Sequence, residues 1–103
     1  MVRVVELGRD ADTSHHLVAL RDREPLHRHD RHALSVRVLV GWGRMHIDGE
    51  ERPVGAGSIL HIPRGAVHAF INESGTPAVA YLIHAPPFDG DDRVLIGPET
   101  TTP

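Results

Sequence analysis

Between Pro25 and Leu34 the chain reads PLHRHDRHAL, with His27, His29 and His32 interleaved with charged residues. Histidine is the commonest protein metal ligand and is largely neutral near pH 7. On a strand, side chains two apart share a face, so His27 and His29 present two imidazoles to one point, while Arg28 and Asp30 face away. Further along, GSILHIPRGAVHAFIN (Gly57 to Asn72) carries His68 on the same alternation as Ala66, Phe70 and Asn72. A third histidine from a second strand completes a facial set with open positions, the arrangement of a catalytic metal rather than a closed structural one.

Composition narrows the alternatives. With 103 residues the chain is long enough for one domain and too short for two. The expected domain is 1–103, with its core over about 14–96 and a frayed tail at 97–103. Apolar residues make up 40% but aromatics only 4%, so the core must rest on Val, Leu, Ile and Ala. A net charge of −3 offers no electrostatic case for nucleic acid or an anionic membrane. Every basic residue is arginine, which excludes a Schiff-base lysine and a P-loop lysine. The absence of cysteine removes disulfides, thiol nucleophiles and thiolate metal sites, and fits a cytoplasmic protein. The start, MVRVVELGRD, is too short and charged for a signal peptide, and no apolar run approaches a membrane span. What stands out is nine histidines.

The elements that must position those histidines read as strands. Short β-branched or alternating runs occur at Val2–Leu7, His16–Leu20, Leu34–Val40, Arg44–Asp48, Ser58–Ile62, Val67–Ile71, Ala78–Ile83 and Arg93–Ile96, separated by glycine and proline. This spacing predicts an all-β sandwich or barrel. VGWGR (Val40 to Arg44) and Asp48-Gly49 read as hairpin turns, Pro63 and Gly65 as a tight turn, and Pro86-Pro87 as the end of a strand.

On these residues the chain resembles the cupins, small β-barrels with a central metal. The second cupin motif is Gly, five residues, Pro, one residue, Gly, two residues, His, three residues, Asn. It is matched throughout by Gly57, Pro63, Gly65, His68 and Asn72. Of the first motif, His27, His29 and Gly41 fit, whereas its leading glycine falls at Arg21 and its glutamate at Ala33 or Leu34, neither of which binds metal. The resemblance therefore implies an all-histidine variant on His27, His29 and His68, with His32 the candidate for the glutamate's place. Three versus four histidines stays open.

The resemblance implies a single antiparallel, jelly-roll-like cupin domain holding one divalent transition metal, Fe(II) first, then Mn, Ni or Zn. It implies a small-molecule substrate and dioxygenase-like or proton-transfer chemistry, as in the three-histidine cupins that act as thiol and diketone-cleaving dioxygenases. The alternative is a non-enzymatic small-ligand sensor. A homodimer is expected, with Val2–Leu7 as the edge strand that meets a partner. His46 and His61 are candidate pocket bases or hydrogen-bonding groups, depending on hairpin register: if Val38 pairs with His46, His46 faces inward. His84 is a candidate at a strand end, His15 and His16 are read as surface, and Phe88 as a possible cap on the barrel mouth. Val36, Val38, Val40 and Phe70 are expected along the pocket wall.

Overall fold

The computed structural model describes residues 2–96; the expected tail at 97–103 lies outside them. Ten strands follow in order: β1 (Val2–Arg9), β2 (Ser14–Leu20), β3 (His27–Arg28), β4 (Ala33–Val40), β5 (Trp42–Ile47), β6 (Glu50–Gly55), β7 (Ile59–Ile62), β8 (His68–Asn72), β9 (Ala78–Ala85) and β10 (Val94–Leu95). They form two five-stranded antiparallel sheets, β1-β2-β9-β4-β7 and β10-β3-β8-β5-β6, packed as a β-sandwich. Among the described residues no helix is long and apolar enough to cross a membrane.

Inward-facing side chains of both sheets make the core. Val38, Met45, Val54 and Phe70 pack in one buried cluster, and Leu34, Val36, Ile62 and Ala66 in another. Strand β4 shows why the pattern was readable: Leu34, Val36 and Val38 are buried while Ser35 and Arg37 are exposed. The alternation breaks at Leu39, where the β4–β9 register shifts between Val38 and Val40. The bulge turns Val40 outward, so it is 51% exposed and does not join the pocket wall as expected.

Two further corrections concern strands. Val40–Arg44 is not a hairpin, because β4 and β5 lie in different sheets and the chain crosses between them at Gly41. Strand β5 pairs instead with β6 and β8. Strand β6 was hidden by Pro53, which removes a ladder donor and is tolerated because β6 is an edge strand. The Asp48-Gly49 hairpin is as expected: both residues have positive φ (47° and 85°), the signature of a type I′ turn.

Asn72, the last residue of the second motif, is a tie rather than a ligand. Its Nδ2 donates to the carbonyls of Leu20 (3.1 Å), Arg21 (2.9 Å) and Thr76 (2.7 Å). Its Oδ1 accepts from the Ser74 N–H (3.0 Å) and Ser74 Oγ (2.7 Å). One side chain thus joins the end of β8 to the end of β2 in the opposite sheet. At a net ~1 kcal/mol per hydrogen bond, more where a buried partner is left unpaired, Asn72→Ala should cost roughly 2–4 kcal/mol. Urea denaturation checks this: the midpoint should fall with little change in slope.

Candidate metal centre

The site is built where β3 meets β8. The two strands share one aligned pair, His27 opposite His68, which sets their rings side by side with centroids 4.2 Å apart. His29 follows just beyond β3, its centroid 5.1 Å from that of His27 and 5.4 Å from that of His68. Each of the three offers a ring nitrogen, and these nitrogens lie within 4.8 Å of one another. An ion at about 2.1 Å from each nitrogen can bridge that spacing with small ring movements. All three side chains are buried.

The rings are oriented for this. His27 Nδ1 donates to the Pro25 carbonyl (2.8 Å) and His68 Nδ1 to the Ala66 carbonyl (2.9 Å). A proton fixed on Nδ1 leaves the Nε2 lone pair available, the usual arrangement behind a metal-binding imidazole. The two halves of the site are also tied through backbone: the Gly65 N–H donates to the His29 carbonyl at 2.8 Å. Gly65 sits in the motif turn with φ of 78°, a conformation that favours glycine. Outside, Arg28 and Asp30 pair at 2.8 Å, as the alternation implied.

Burial disfavours a charge on two of the three rings. It lowers His68 to about 4, with repulsion from His27 adding to the effect. It lowers His29 as well, again with His27 contributing. Neutral imidazoles are the form a metal requires. The donor set, the oriented rings of His27 and His68 and the convergence of nitrogens all fit a divalent transition ion.

His32 is not part of this set. It is buried, but Nδ1 meets Asp92 Oδ2 at 2.5 Å and Nε2 meets the Pro87 carbonyl at 3.1 Å. Both ring nitrogens are thus engaged by groups outside the triad, and His32 is not among the converging nitrogens of His27, His29 and His68. The ring instead fastens the segment after β9 across the molecule. Asp92 also accepts the N–H groups of Asp30 (3.1 Å) and Arg31 (2.7 Å). Burial alone would raise the Asp92 carboxyl, but the hydrogen bonds from His32, Arg31 and Asp30 outweigh it and hold it below the usual carboxylate range.

The triad forms one wall of a cavity of about 300 Å³ between the sheets, the lower end of small-ligand sites. Val36, Val38, Met45, Ile62, Phe70 and Leu82 are among its apolar walls. His46 and His61 do not line it. On β5 the register puts Met45 opposite Phe70 and facing inward, so His46 lies half-buried outside, 3.6 Å from Glu51. On β7, Ile62 is buried and His61 is exposed.

The cavity recruits residues that the sequence reading placed elsewhere. His16, expected at the surface, is 3% exposed and lines the cavity from β2; its Nε2 lies 2.9 Å from Ser14 Oγ. His84 lines it from β9, and Phe88 closes over His84 with ring centroids 4.9 Å apart. Glu24 also lines it, accepting the Phe70 N–H at 3.0 Å, and burial raises its carboxyl pKa. The burial of His16 had one signal in the sequence: His16, Val18 and Leu20 share an alternating face.

A small antiparallel sandwich with a buried histidine triad at one wall of its cavity is the architecture of the cupins. Residues 14–84 match the cupin domain, and the chain belongs to that family. An uncharacterized protein of Aquifex aeolicus is 34% identical over 95 residues, covering 92% of this chain and 78% of that one. Among solved structures, KdgF from a Halomonas species aligns with a TM-score of 0.79 at 19% identity, over 85% of this chain and 82% of that chain. Pac13, a nucleoside dehydratase from Streptomyces, aligns with a TM-score of 0.77 at 19% identity, over 92% and 78%. The two structural likenesses carry the fold.

The buried histidines set a pH dependence. His68 (about 4) and His84 (about 3) titrate below the ordinary 6.5 when folded, so between those values the unfolded chain binds protons that the native one refuses. Stability of the metal-free protein should be greatest above pH 6.5. It should then fall with acidification towards pH 4, on the order of 1–3 kcal/mol per pH unit. Chemical denaturation at pH 7.5, 6 and 5 measures this; equal stability at all three would mean that the cluster charges freely in the fold.

Proposed function

We propose that this cupin is a metal-dependent enzyme acting on a small molecule, with one divalent transition metal held by His27, His29 and His68. The observation that carries the reading is the buried triad, whose His27 and His68 rings are each aimed by a hydrogen bond from Nδ1 to a backbone carbonyl. Fe(II) is the first choice, with Mn, Ni and Zn as alternatives for an imidazole set. When bound, such an ion supplies a Lewis acid that polarises a substrate oxygen, for oxygen-dependent cleavage or for proton transfer. Three neutral ligands leave the ion's full charge in place, which favours an anionic or enolisable substrate. The apolar walls exclude water from the bound molecule, and Glu24 brings a carboxyl group into the same cavity.

Elemental mass spectrometry of the untagged protein tests the site. About one equivalent of metal is expected in wild type, with loss in His68→Ala. His32→Ala should keep the metal, although leaving the buried Asp92 carboxylate without that partner should cost it roughly 1–3 kcal/mol of stability. No metal in wild type after reconstitution would remove the metalloenzyme reading and favour a ligand-sensing cupin. Oxygen consumption or proton exchange with thiols, diketones and catechols then separates turnover from mere binding.

The same reading includes a homodimer in the cytoplasm. Strand β1 is an edge strand with apolar side chains exposed on both faces, Val2 (45%), Val4 (59%), Val5 (57%) and Leu7 (55%), a surface suited to a second copy. Light scattering should give twice the 11.3 kDa chain mass, shifting to the monomer in Val5→Lys. A monomeric wild type would remove the dimer.

A further inference from the structure

The histidines of the interior can be accounted for nitrogen by nitrogen. His27 and His68 each give Nδ1 to a carbonyl, His32 gives both nitrogens to Asp92 and Pro87, and His16 sets Nε2 against Ser14 Oγ. Among the described residues, two buried side-chain nitrogens have no hydrogen-bond partner, His29 Nδ1 and His84 Nδ1. The first belongs to the triad. The second belongs to a residue that is only 7% exposed, on the opposite sheet, in the wall of the same cavity. Buried polar groups are nearly always paired, and one without a partner calls for an explanation.

The surroundings of His84 suggest one. Its ring lies 6.0 Å from that of His29, so a single small molecule can touch the triad side and His84 together. His16 stands edge-on to it at 4.7 Å and Phe88 is tilted against it at 4.9 Å, which makes a ring-lined corner of the cavity. No hydrogen bond holds Nδ1, so none has to break when His84 offers a donor or an acceptor to a ligand.

The geometry points to His84 as the second polar anchor of the cavity, binding an uncharged hydroxyl or carbonyl oxygen of a small, otherwise apolar ligand whose first oxygen faces the triad. This rests on the metal-site reading for the first oxygen but not for the second. It narrows the substrate class to planar or ring-bearing molecules with two separated oxygens, because the corner around His84 is made of rings and can stack against one.

Phenol and resorcinol are the probes. They differ by one hydroxyl, and the 1,3 spacing prevents both oxygens of resorcinol from reaching one ion. Calorimetric titration of the full chain, metal-loaded and metal-free, should show resorcinol binding about tenfold tighter than phenol, the value of one good hydrogen bond. His84→Phe, which keeps a ring and removes the polar atoms, should abolish the preference, and His84→Gln should restore part of it. His84→Phe should melt no lower than wild type, because it removes an unpaired buried nitrogen. A preference that persists in metal-free protein and vanishes in His84→Phe supports the inference even where the triad proves to hold no metal. No preference in wild type, or the same preference in His84→Phe, overturns it. A lower melting temperature in His84→Phe with an unchanged preference marks His84 as a packing residue and overturns it too.

Discussion

The antiparallel pairing of His27 with His68 is the contact on which the site depends. Strand β3 is two residues long and aligns with β8 at that single pair. A slip of one residue would turn one imidazole out of the interior and bring Arg28 or Val67 to its place. So short a strand cannot hold its register by ladder hydrogen bonds alone. The register is held from outside: by β10 on its free edge, by the Gly65 N–H on the His29 carbonyl, and by Asp92 gripping the backbone at Asp30 and Arg31. Two other carbonyls, those of Pro25 and Ala66, fix the orientation of the His27 and His68 rings.

The energetic consequence is a strained balance between burial and solvation. Several imidazoles share one small interior, and His68 and His84 are both driven far below their ordinary pKa. Each would gain by reaching water, and each is kept from it by the apolar side chains that close the sandwich. A bound ion would relieve that balance in the triad, since it accepts lone pairs that otherwise face hydrocarbon. Binding and folding are then coupled, and the cavity's tight apolar lining serves stability and chemistry together.

Much of this was legible in the sequence, and the limits have physical causes. The second motif and the His-x-His pair fixed the triad because spacing on a strand translates directly into a shared face. The Asp48-Gly49 hairpin was readable because its backbone needs those two residues. Three things were not. The destination of β5 depended on whether the chain turned back or crossed to the other sheet at Gly41, and both routes use a glycine; with that choice went the orientation of His46. The bulge at Leu39 leaves no mark in composition. His32 and Asp92 are 60 residues apart in the chain, and their hydrogen bond is a long-range contact with no local pattern to announce it. His32 therefore looked like a ligand from its neighbours and is a clasp in three dimensions.

That separation has a consequence for how the molecule would respond to a cut. A single break in the segment after β9 would leave the β1-β2-β9-β4-β7 sheet whole, yet free Asp92 from His32 and from the backbone at Asp30 and Arg31. The loop that follows His29 would lose its anchor while most of the sandwich kept its pairing. The histidine cluster would then loosen before the fold did.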